Sequence, residues 1–164
     1  MNLCVIQQPY AYDPADAEAS VDFLISELAS CDESLDFILL PEYSDCPSSF
    51  PPGESLAFSL RHAPRLEAAV RETAKRCNAV ICLNFCANIT GKHRNTSRVY
   101  NQKGEIAGEY YKQQLTEKEP ANRQVDNSYA LSFKAPKIVN IDGIKMAFLT
   151  CYDIYFNEYI AHLA

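Results

Sequence analysis

The run LDFILLPE at residues 35–42 constrains the fold most, because it is a continuous apolar segment that ends abruptly at Pro41 and Glu42. A run of this length is typical of a central β-strand that is covered on both faces, as in α/β proteins. Two further strand-like segments, NLCVIQQ at 2–8 and NAVICLNF at 78–85, lie on either side of it. Stretches with helical periodicity separate the three, and the order strand, helix, strand, helix, strand predicts an α/β layered domain.

The two helical stretches carry distinct start and face signals. In the first, Asp13 can cap the helix and Pro14 suits its first turn. The second runs from about Leu56 to Cys77, and Pro64 is expected either to break it or to start it. Each stretch presents one apolar side, formed by Ala17, Val21, Leu24 and Leu28 in the first and by Leu66, Val70, Ala74 and Cys77 in the second.

The second half of the chain predicts two hairpins and a strand–turn–helix unit. SRVYNQKGEIAGEYYKQQL reads as two strands around a turn at 102–104, and KIVNIDGIKMAFLT repeats the pattern around the Asp-Gly pair at 142–143. The final segment, FLTCYDIYFNEYIAHLA, predicts a strand that runs straight into Cys151 and then an amphipathic helix. A sharp turn between a strand and a helix presents one side chain beside backbone N–H groups, which suits a nucleophile.

Composition sets the class of protein and of partner. The chain has 164 residues, of which 48% are hydrophobic, so we expect a single globular domain over residues 1–164. Its net charge of -6 provides no basic field for nucleic acid or for an anionic membrane, which favours a small molecule or another protein as partner. The sequence shows neither a signal peptide nor a membrane span, and its seven cysteines predict reduced thiols, so we expect a soluble, cytoplasmic protein.

Three strand-like runs end at chemically useful side chains: Glu42, Lys112 and Cys151. Functional groups in open α/β sheets collect where strands finish. Glu42 can remove the thiol proton of Cys151, and the thiolate can then attack a carbonyl or nitrile carbon. Lys112 can stabilise the charge that develops on the substrate. Together they predict hydrolysis of a carbon–nitrogen bond through an acyl-enzyme thioester.

The same residues resemble a known family. DFILLPEYS, YYKQQLTEKE and GIKMAFLTCYDIYFNEYIAHLA are similar to the three signature segments of the nitrilase, or carbon–nitrogen hydrolase, superfamily. RNTSRVYNQKGEIAGEYYKQQL adds the asparagine, the glycine turn and the strand that usually precede the family lysine. The resemblance covers nearly the whole chain and implies an αββα sandwich, with Glu42 as base, Lys112 as the lysine and Cys151 as nucleophile.

The resemblance also implies supporting residues. Many members carry a second glutamate after the lysine, for which Glu119 is the first choice and Glu117 the alternative. The backbone N–H of Tyr152, which follows the nucleophile, is implied as a further donor to the substrate. Gln114 replaces a histidine that is common in the family, which bears on the substrate subgroup rather than on the triad.

Family sandwiches continue well beyond the nucleophile, whereas this sequence ends one helix after Cys151. The resemblance therefore implies a domain that is incomplete at the C-terminus. It also implies a homodimer or higher homo-oligomer, with residues 154–163 at the interface. A small-molecule amide substrate is implied, with no cofactor.

Simpler interpretations stand beside these. Cys151 alone would more often be a buried structural thiol, and Glu42, Lys112, Glu117 and Glu119 alone would be solvated surface charges. Cys82 and Cys86 have no second Cys or His pair at zinc-finger spacing, so we expect no metal site. A Cys-His protease requires one of three scattered histidines to fold back to Cys151: His62, His93 or His162.

Two functions remain open at this point. The first is a thiol hydrolase that acts on a small amide, a carbamoyl amide or, less often, a nitrile. The second is a catalytically silent interaction or dimerisation module that keeps the three residues by descent.

Overall fold

A five-stranded mixed sheet forms the centre of the protein in a computed structural model that describes residues 1–126, 128 and 138–163, apart from the side chain of His162. The strands lie in the order β1–β2–β3–β4–β5. The first three are parallel to one another, and the last two are antiparallel to their neighbours. Their bounds are Leu3–Val5, Phe37–Leu39, Val80–Ile89, Lys92–Tyr100 and Ile106–Tyr111.

Two long helices cover one face of this sheet: α1 (Ala17–Ser30) and α2 (Glu54–Cys77). Asp13 caps a 3-10 turn that leads into α1, since its carboxylate accepts the Ala15 N–H at 2.9 Å. Pro64 lies inside α2 without ending it. None of the described helices is long and apolar enough to cross a membrane. The apolar sides of both helices meet the sheet in one buried cluster, which includes Leu24, Leu28, Ile38, Leu66, Val70, Ala74, Ile81 and Leu83.

A short helix and a hairpin complete the described architecture. Helix α3 (Glu119–Arg123) follows β5, and strands β6 (Val139–Ile141) and β7 (Ile144–Met146) form the second predicted hairpin. Both residues of its Asp-Gly turn have positive φ, as a type I′ turn requires. This hairpin packs on the sheet face opposite the helices, in a smaller apolar cluster with residues of β3 and β4. The predicted α/β class is therefore confirmed.

The prediction that the LDFILLPE strand is covered on both faces is wrong for the described part of the chain. Ile38 of β2 is fully buried against the helices, whereas Leu39 is 37% exposed. On the neighbouring edge strand, Leu3 and Val5 are 57% and 59% exposed. The reason is that α1 and α2 cover a single face, while on the opposite face the β6–β7 hairpin packs on β3, on β4 and on Phe37 but leaves Leu3, Val5 and Leu39 exposed.

The predicted strand leading directly into Cys151 is also wrong. Strand β7 ends at Met146, and Cys151–Tyr155 form a 3-10 turn that precedes α4 (Asn157–Leu163). The cause is local: the Thr150 N–H donates to the Asp153 carboxylate at 3.1 Å instead of to a neighbouring strand. Lys137 and Ala164, at the outer ends of the predicted hairpin and helix, lie outside the described residues.

Gly108 marks the point where β6 crosses closely over β5. A Cβ placed on it would lie 2.4 Å from the Cγ2 atom of Val139, whose β-branched side chain has little rotamer freedom. We expect Gly108→Ala to lower the free energy of unfolding by about 1–3 kcal/mol, as measured by urea denaturation, because the contact must be relieved by moving the hairpin.

Val139→Ala supplies the matched control for that prediction. The double variant should lose less stability than the sum of the two single variants, since the shortened side chain makes room for the new methyl group. If the stability losses of the two single variants add up to that of the double variant, the contact with Val139 does not explain the cost of alanine at position 108.

Candidate active site

Lys112 lies at the centre of a buried group of charges. It directly follows β5, and its backbone N–H donates to the Asn95 carbonyl at 3.0 Å, so the lysine is held in register with β4. Its side chain is only 1% exposed. The Nζ atom lies 2.8 Å from the Oε1 atom of Glu42 and 2.8 Å from the Oε2 atom of Glu119. Two of the glutamates predicted from sequence therefore contact the predicted lysine.

The turn after β2 positions Glu42. Tyr43 adopts a positive φ of 53°, and the chain is fixed there by β3. The Tyr43 N–H donates to the Asn84 side-chain oxygen at 2.8 Å, and the Ser44 N–H donates to the Asn84 carbonyl at 3.0 Å. From β4, the Asn95 side-chain amide donates to Glu42 Oε1 at 2.8 Å.

Glu119, rather than Glu117, is the second glutamate of the group. It is the first residue of α3 and is buried, whereas Glu117 is exposed. Its carboxylate accepts the Tyr43 hydroxyl at 2.8 Å and the Thr116 N–H at 2.8 Å. The expectation of an exposed, solvated loop is therefore wrong for Glu119, because α3 folds back over the loop that carries Glu42.

The buried charges stabilise one another. Burial on its own would lower the pKa of Lys112, but hydrogen bonds and charges from Glu119 and Glu42 raise it above the ordinary value. Burial would likewise raise the pKa of Glu119, yet the donors Lys112, Thr116 and Tyr43 hold it below the ordinary range. Lys112 is thus a cation at neutral pH, and its role in any reaction is electrostatic rather than basic.

Cys151 lies at the start of the 3-10 turn with a positive φ of 48° and is exposed. Non-glycine residues rarely adopt this conformation, and a conformation of this kind is common at functional sites. The charges of Glu42 and Lys112 both act on the pKa of the thiol, so the three groups lie close together. The structure thus brings the three residues predicted from sequence into one place.

Asp153 holds this turn in position. Its buried carboxylate accepts the Tyr110 hydroxyl at 2.6 Å, the Gln114 N–H at 2.7 Å and the Thr150 N–H at 3.1 Å. Two of these partners belong to β5 and the segment after it, on either side of Lys112. The nucleophile turn and the lysine are therefore fixed to each other through a single carboxylate.

The Cys151 thiol is not ionised by its surroundings. Partial burial raises its pKa, the negative charge of Glu42 raises it further, and Lys112 only partly opposes them. The thiol is therefore protonated at neutral pH. Attack on a substrate needs a group that removes the proton, and the Glu42 carboxylate lies close enough to the thiol to shift its pKa.

The other predicted residues fall outside this group or at its margin. Tyr152 follows Cys151, and its ring contacts the rings of Tyr155 and Phe156. His62 is buried and stacks on Phe58 within α2, and His93 lies opposite Asn88 in the sheet. Among the described residues, no group of three or more His, Cys, Asp or Glu side chains is arranged to hold a metal ion.

Sequence reasoning missed several residues of the site: Tyr43, Asn84, Asn95, Thr116 and Asp153. One signal was present, because Asn84 interrupts the apolar run NAVICLNF and is 4% exposed. A buried amide in the middle of a strand requires hydrogen-bond partners, and these identify the site.

Comparison with known proteins places this geometry in a family. The sequence model of the carbon–nitrogen hydrolase family matches residues 3–164, and the chain belongs to this family. No curated protein matches the chain significantly by sequence.

Solved structures share the fold at low sequence identity. An amidase from Nesterenkonia sp. AN1 is 17% identical with a TM-score of 0.69, and the match covers 99% of this chain and 61% of that chain. A variant of that amidase, in complex with butyramide, is 16% identical with the same TM-score, and the match covers 99% and 60% of the two chains. A carbon–nitrogen hydrolase from Helicobacter pylori G27 is 16% identical with a TM-score of 0.68, covering 97% and 54%. The chain thus spans less than two thirds of the length of these structures.

The depressed pKa of Glu119 predicts a pH-dependent contribution to stability. Because its folded-state pKa lies below the unfolded value, this contribution is complete above about pH 4.3 and is lost as the pH falls through the folded-state pKa. We expect Glu119→Gln to cost about 1–3 kcal/mol at pH 7 and progressively less below pH ~4. Urea denaturation from pH 3 to pH 7 measures the difference, and a cost that is independent of pH would contradict the assignment.

Asp153 supplies a second prediction about the site. Asp153→Asn keeps the side-chain shape but places an NH₂ group against a backbone N–H donor in either orientation, because Gln114 and Thr150 bind different carboxylate oxygens. We therefore expect a loss of about 2 kcal/mol and slower alkylation of Cys151. Asp142→Asn is the matched control, because Asp142 has a positive φ that asparagine tolerates and its hydrogen bond with Gln102 is exposed. Equal effects of the two changes, measured by urea denaturation and iodoacetamide labelling, would contradict the role of Asp153.

Proposed function

We propose that this protein is a hydrolase of small amides or carbamoyl amides that forms a thioester on Cys151. One observation carries the proposal: the Lys112 ammonium is buried between Glu42 and Glu119, and the exposed Cys151 thiol lies close enough to Glu42 and Lys112 for both charges to shift its pKa. A structural salt bridge would not need an exposed thiol at a strained backbone position beside it.

In the first half of the proposed reaction, Glu42 takes the thiol proton while the Cys151 sulfur attacks the carbonyl carbon. A carbon–sulfur bond forms and the carbonyl oxygen becomes negative. The Lys112 ammonium and the backbone N–H of Tyr152 are the proposed donors to that oxygen. When the intermediate collapses, the carbon–nitrogen bond breaks and Glu42 returns its proton to the departing ammonia or amine.

In the second half, Glu42 removes a proton from water, and the resulting hydroxide attacks the thioester carbon. The carbon–sulfur bond breaks, the carboxylic acid leaves and the proton returns to the sulfur. Glu119 reacts with nothing in this scheme. It balances the charge of Lys112 and holds the ammonium in place, which makes it a supporting residue.

The substrate class rests on the residues and on the relatives. A thiol, a carboxylate base and a fixed cation suit an acyl transfer to water, and the reaction requires no cofactor. The Nesterenkonia amidase variant in complex with butyramide shares this fold and supports a small amide as substrate.

An alternative is a catalytically silent interaction or dimerisation module. The exposed apolar side chains of β1 and β2 favour it, together with a cavity of about 500 Å³ beside them that is lined by Leu3, Phe37, Ile144 and Met146 but by none of the three reactive residues. Exposed Ile154, Ile160 and Leu163 also support our proposal of a homodimer or higher homo-oligomer. Sedimentation analysis measures the assembly, and amide turnover separates the two functions.

Substrate turnover tests the hydrolase. We expect the chain to release ammonia from a panel of small amides, Cys151→Ala to abolish that release, and Glu42→Gln to lower kcat by about 10²–10⁴-fold. Turnover that persists in Cys151→Ala would contradict the mechanism. No turnover of any amide, together with stable self-association, would favour the interaction module.

Iodoacetamide labelling at about pH 6 tests the base directly. Cys151 should label faster than the other six cysteines, whose pKa values include about 11 for both Cys31 and Cys46. In Glu42→Gln the two candidate effects have opposite signs, because loss of the negative charge lowers the thiol pKa and speeds labelling, whereas loss of the base slows it. Slower labelling would support Glu42 as the base, and unchanged or faster labelling would contradict it.

A further inference from the structure

Two buried asparagines lie behind the proposed base. Asn84 of β3 is 4% exposed and Asn95 of β4 is fully buried. The Asn84 Nδ2 atom donates to the Asn95 Oδ1 atom at 2.8 Å and to the Ser97 hydroxyl at 3.0 Å. The Asn95 Nδ2 atom donates to Glu42 at 2.8 Å and faces Glu119 at 3.4 Å. Both amides thus have partners at the oxygen and at the nitrogen.

The direction of these hydrogen bonds is fixed by a group that can only donate. The backbone N–H of Tyr43 points at Asn84 from 2.8 Å, so an oxygen must face it. The NH₂ group of Asn84 must then face Asn95 and meet its oxygen. This leaves the NH₂ group of Asn95 to point at Glu42, and reversing either amide would bring two donors or two acceptors into contact without water.

The chain of hydrogen bonds ends on one particular oxygen. Glu42 Oε1 accepts from Asn95 Nδ2 and from Lys112 Nζ, both at 2.8 Å. A carboxylate oxygen has two lone pairs, and two donors occupy both of them. The proton of the thiol must therefore go to the other oxygen, Oε2.

We propose that Asn84 and Asn95 form a one-way hydrogen-bond chain that saturates Oε1 of Glu42 and leaves Oε2 as the oxygen that accepts the Cys151 proton. In this role both asparagines are positioning residues, because neither is proposed to touch the substrate. The chain fixes the rotamer of Glu42 and assigns different tasks to its two oxygens. This proposal rests on the proposed function only in naming the Cys151 thiol as the proton donor.

Kinetics test the effect on the base. Asn95→Leu removes the donor and keeps the number and branching of the side-chain heavy atoms. In a plot of the Cys151 alkylation rate against pH, the acid limb is the part where the rate falls at low pH. We expect this limb to move to higher pH by about one unit, because a carboxylate that loses a donor holds its proton more tightly. The Asn84 side chain does not contact Glu42. Asn84→Ala should therefore shift the pH profile in the same direction but by less, since the Asn95 amide can then turn over and present its oxygen to Glu42.

Ser97→Ala is the matched control. It removes a hydrogen bond from the same Asn84 side chain without changing the direction of the chain, so the acid limb should stay where it is in the unmodified protein. Thermal unfolding of every variant reports the purely structural cost. If Asn95→Leu lowers the unfolding temperature but leaves the acid limb in place, the positioning role is overturned.

Side-chain amide NMR tests the hydrogen-bond chain without reference to reactivity. In Glu42→Gln the charged acceptor becomes neutral, so the Asn95 NH₂ signal should move upfield. An Asn95 signal that does not respond would overturn the proposal even if the enzyme is active. Conversely, if Cys151 labels no faster than the other thiols while the Asn95 signal responds, the hydrolase fails and the hydrogen-bond chain stands.

Discussion

The ion group around Lys112 is the interaction on which the rest of the site depends. An ammonium that is 1% exposed is tolerated only where carboxylates lie within contact distance, and two of them do. To bring those carboxylates in, the loop after β2 must turn at a positive φ and α3 must fold back over it. The positions of Tyr43, Thr116 and Glu119 all follow from the need to surround one buried cation.

Burial and the charges of this group together keep the Cys151 thiol protonated rather than ionised. Partial burial raises the pKa of the Cys151 thiol, and the negative charge of Glu42 raises it further, while Lys112 only partly opposes them. In the proposed reaction, a thiol that is protonated at rest is activated by the carboxylate beside it. The rate of the proposed reaction therefore depends on the orientation of Glu42, which we propose is fixed by Asn84 and Asn95.

The open face of β1 and β2 has a different physical origin. Helices α1 and α2 cover one side of the sheet, whereas on the other side the β6–β7 hairpin packs on residues of β3 and β4, on Phe37 and over β5. Leu3, Val5 and Leu39 thus remain exposed although their sequence is that of a buried strand. The solved structures that share this fold are longer, and the chain covers 54–61% of the three described above.

The sequence by itself determined the order of strands and helices, both hairpins, and the three residues at the reactive group. The elements follow from local rules, because apolar periodicity separates helix from strand and because Asp-Gly and Gly104 mark the turns. The three residues follow from the signature segments that they belong to. Only the tertiary structure decided that Glu119 is buried, that Asp153 reshapes the chain before Cys151, and that Asn84 and Asn95 lie behind Glu42. Each of these depends on hydrogen bonds whose partners meet through strand register and a single choice of rotamer. Helices and strands are visible as a periodicity in the sequence, but these individual hydrogen-bonded pairs are not.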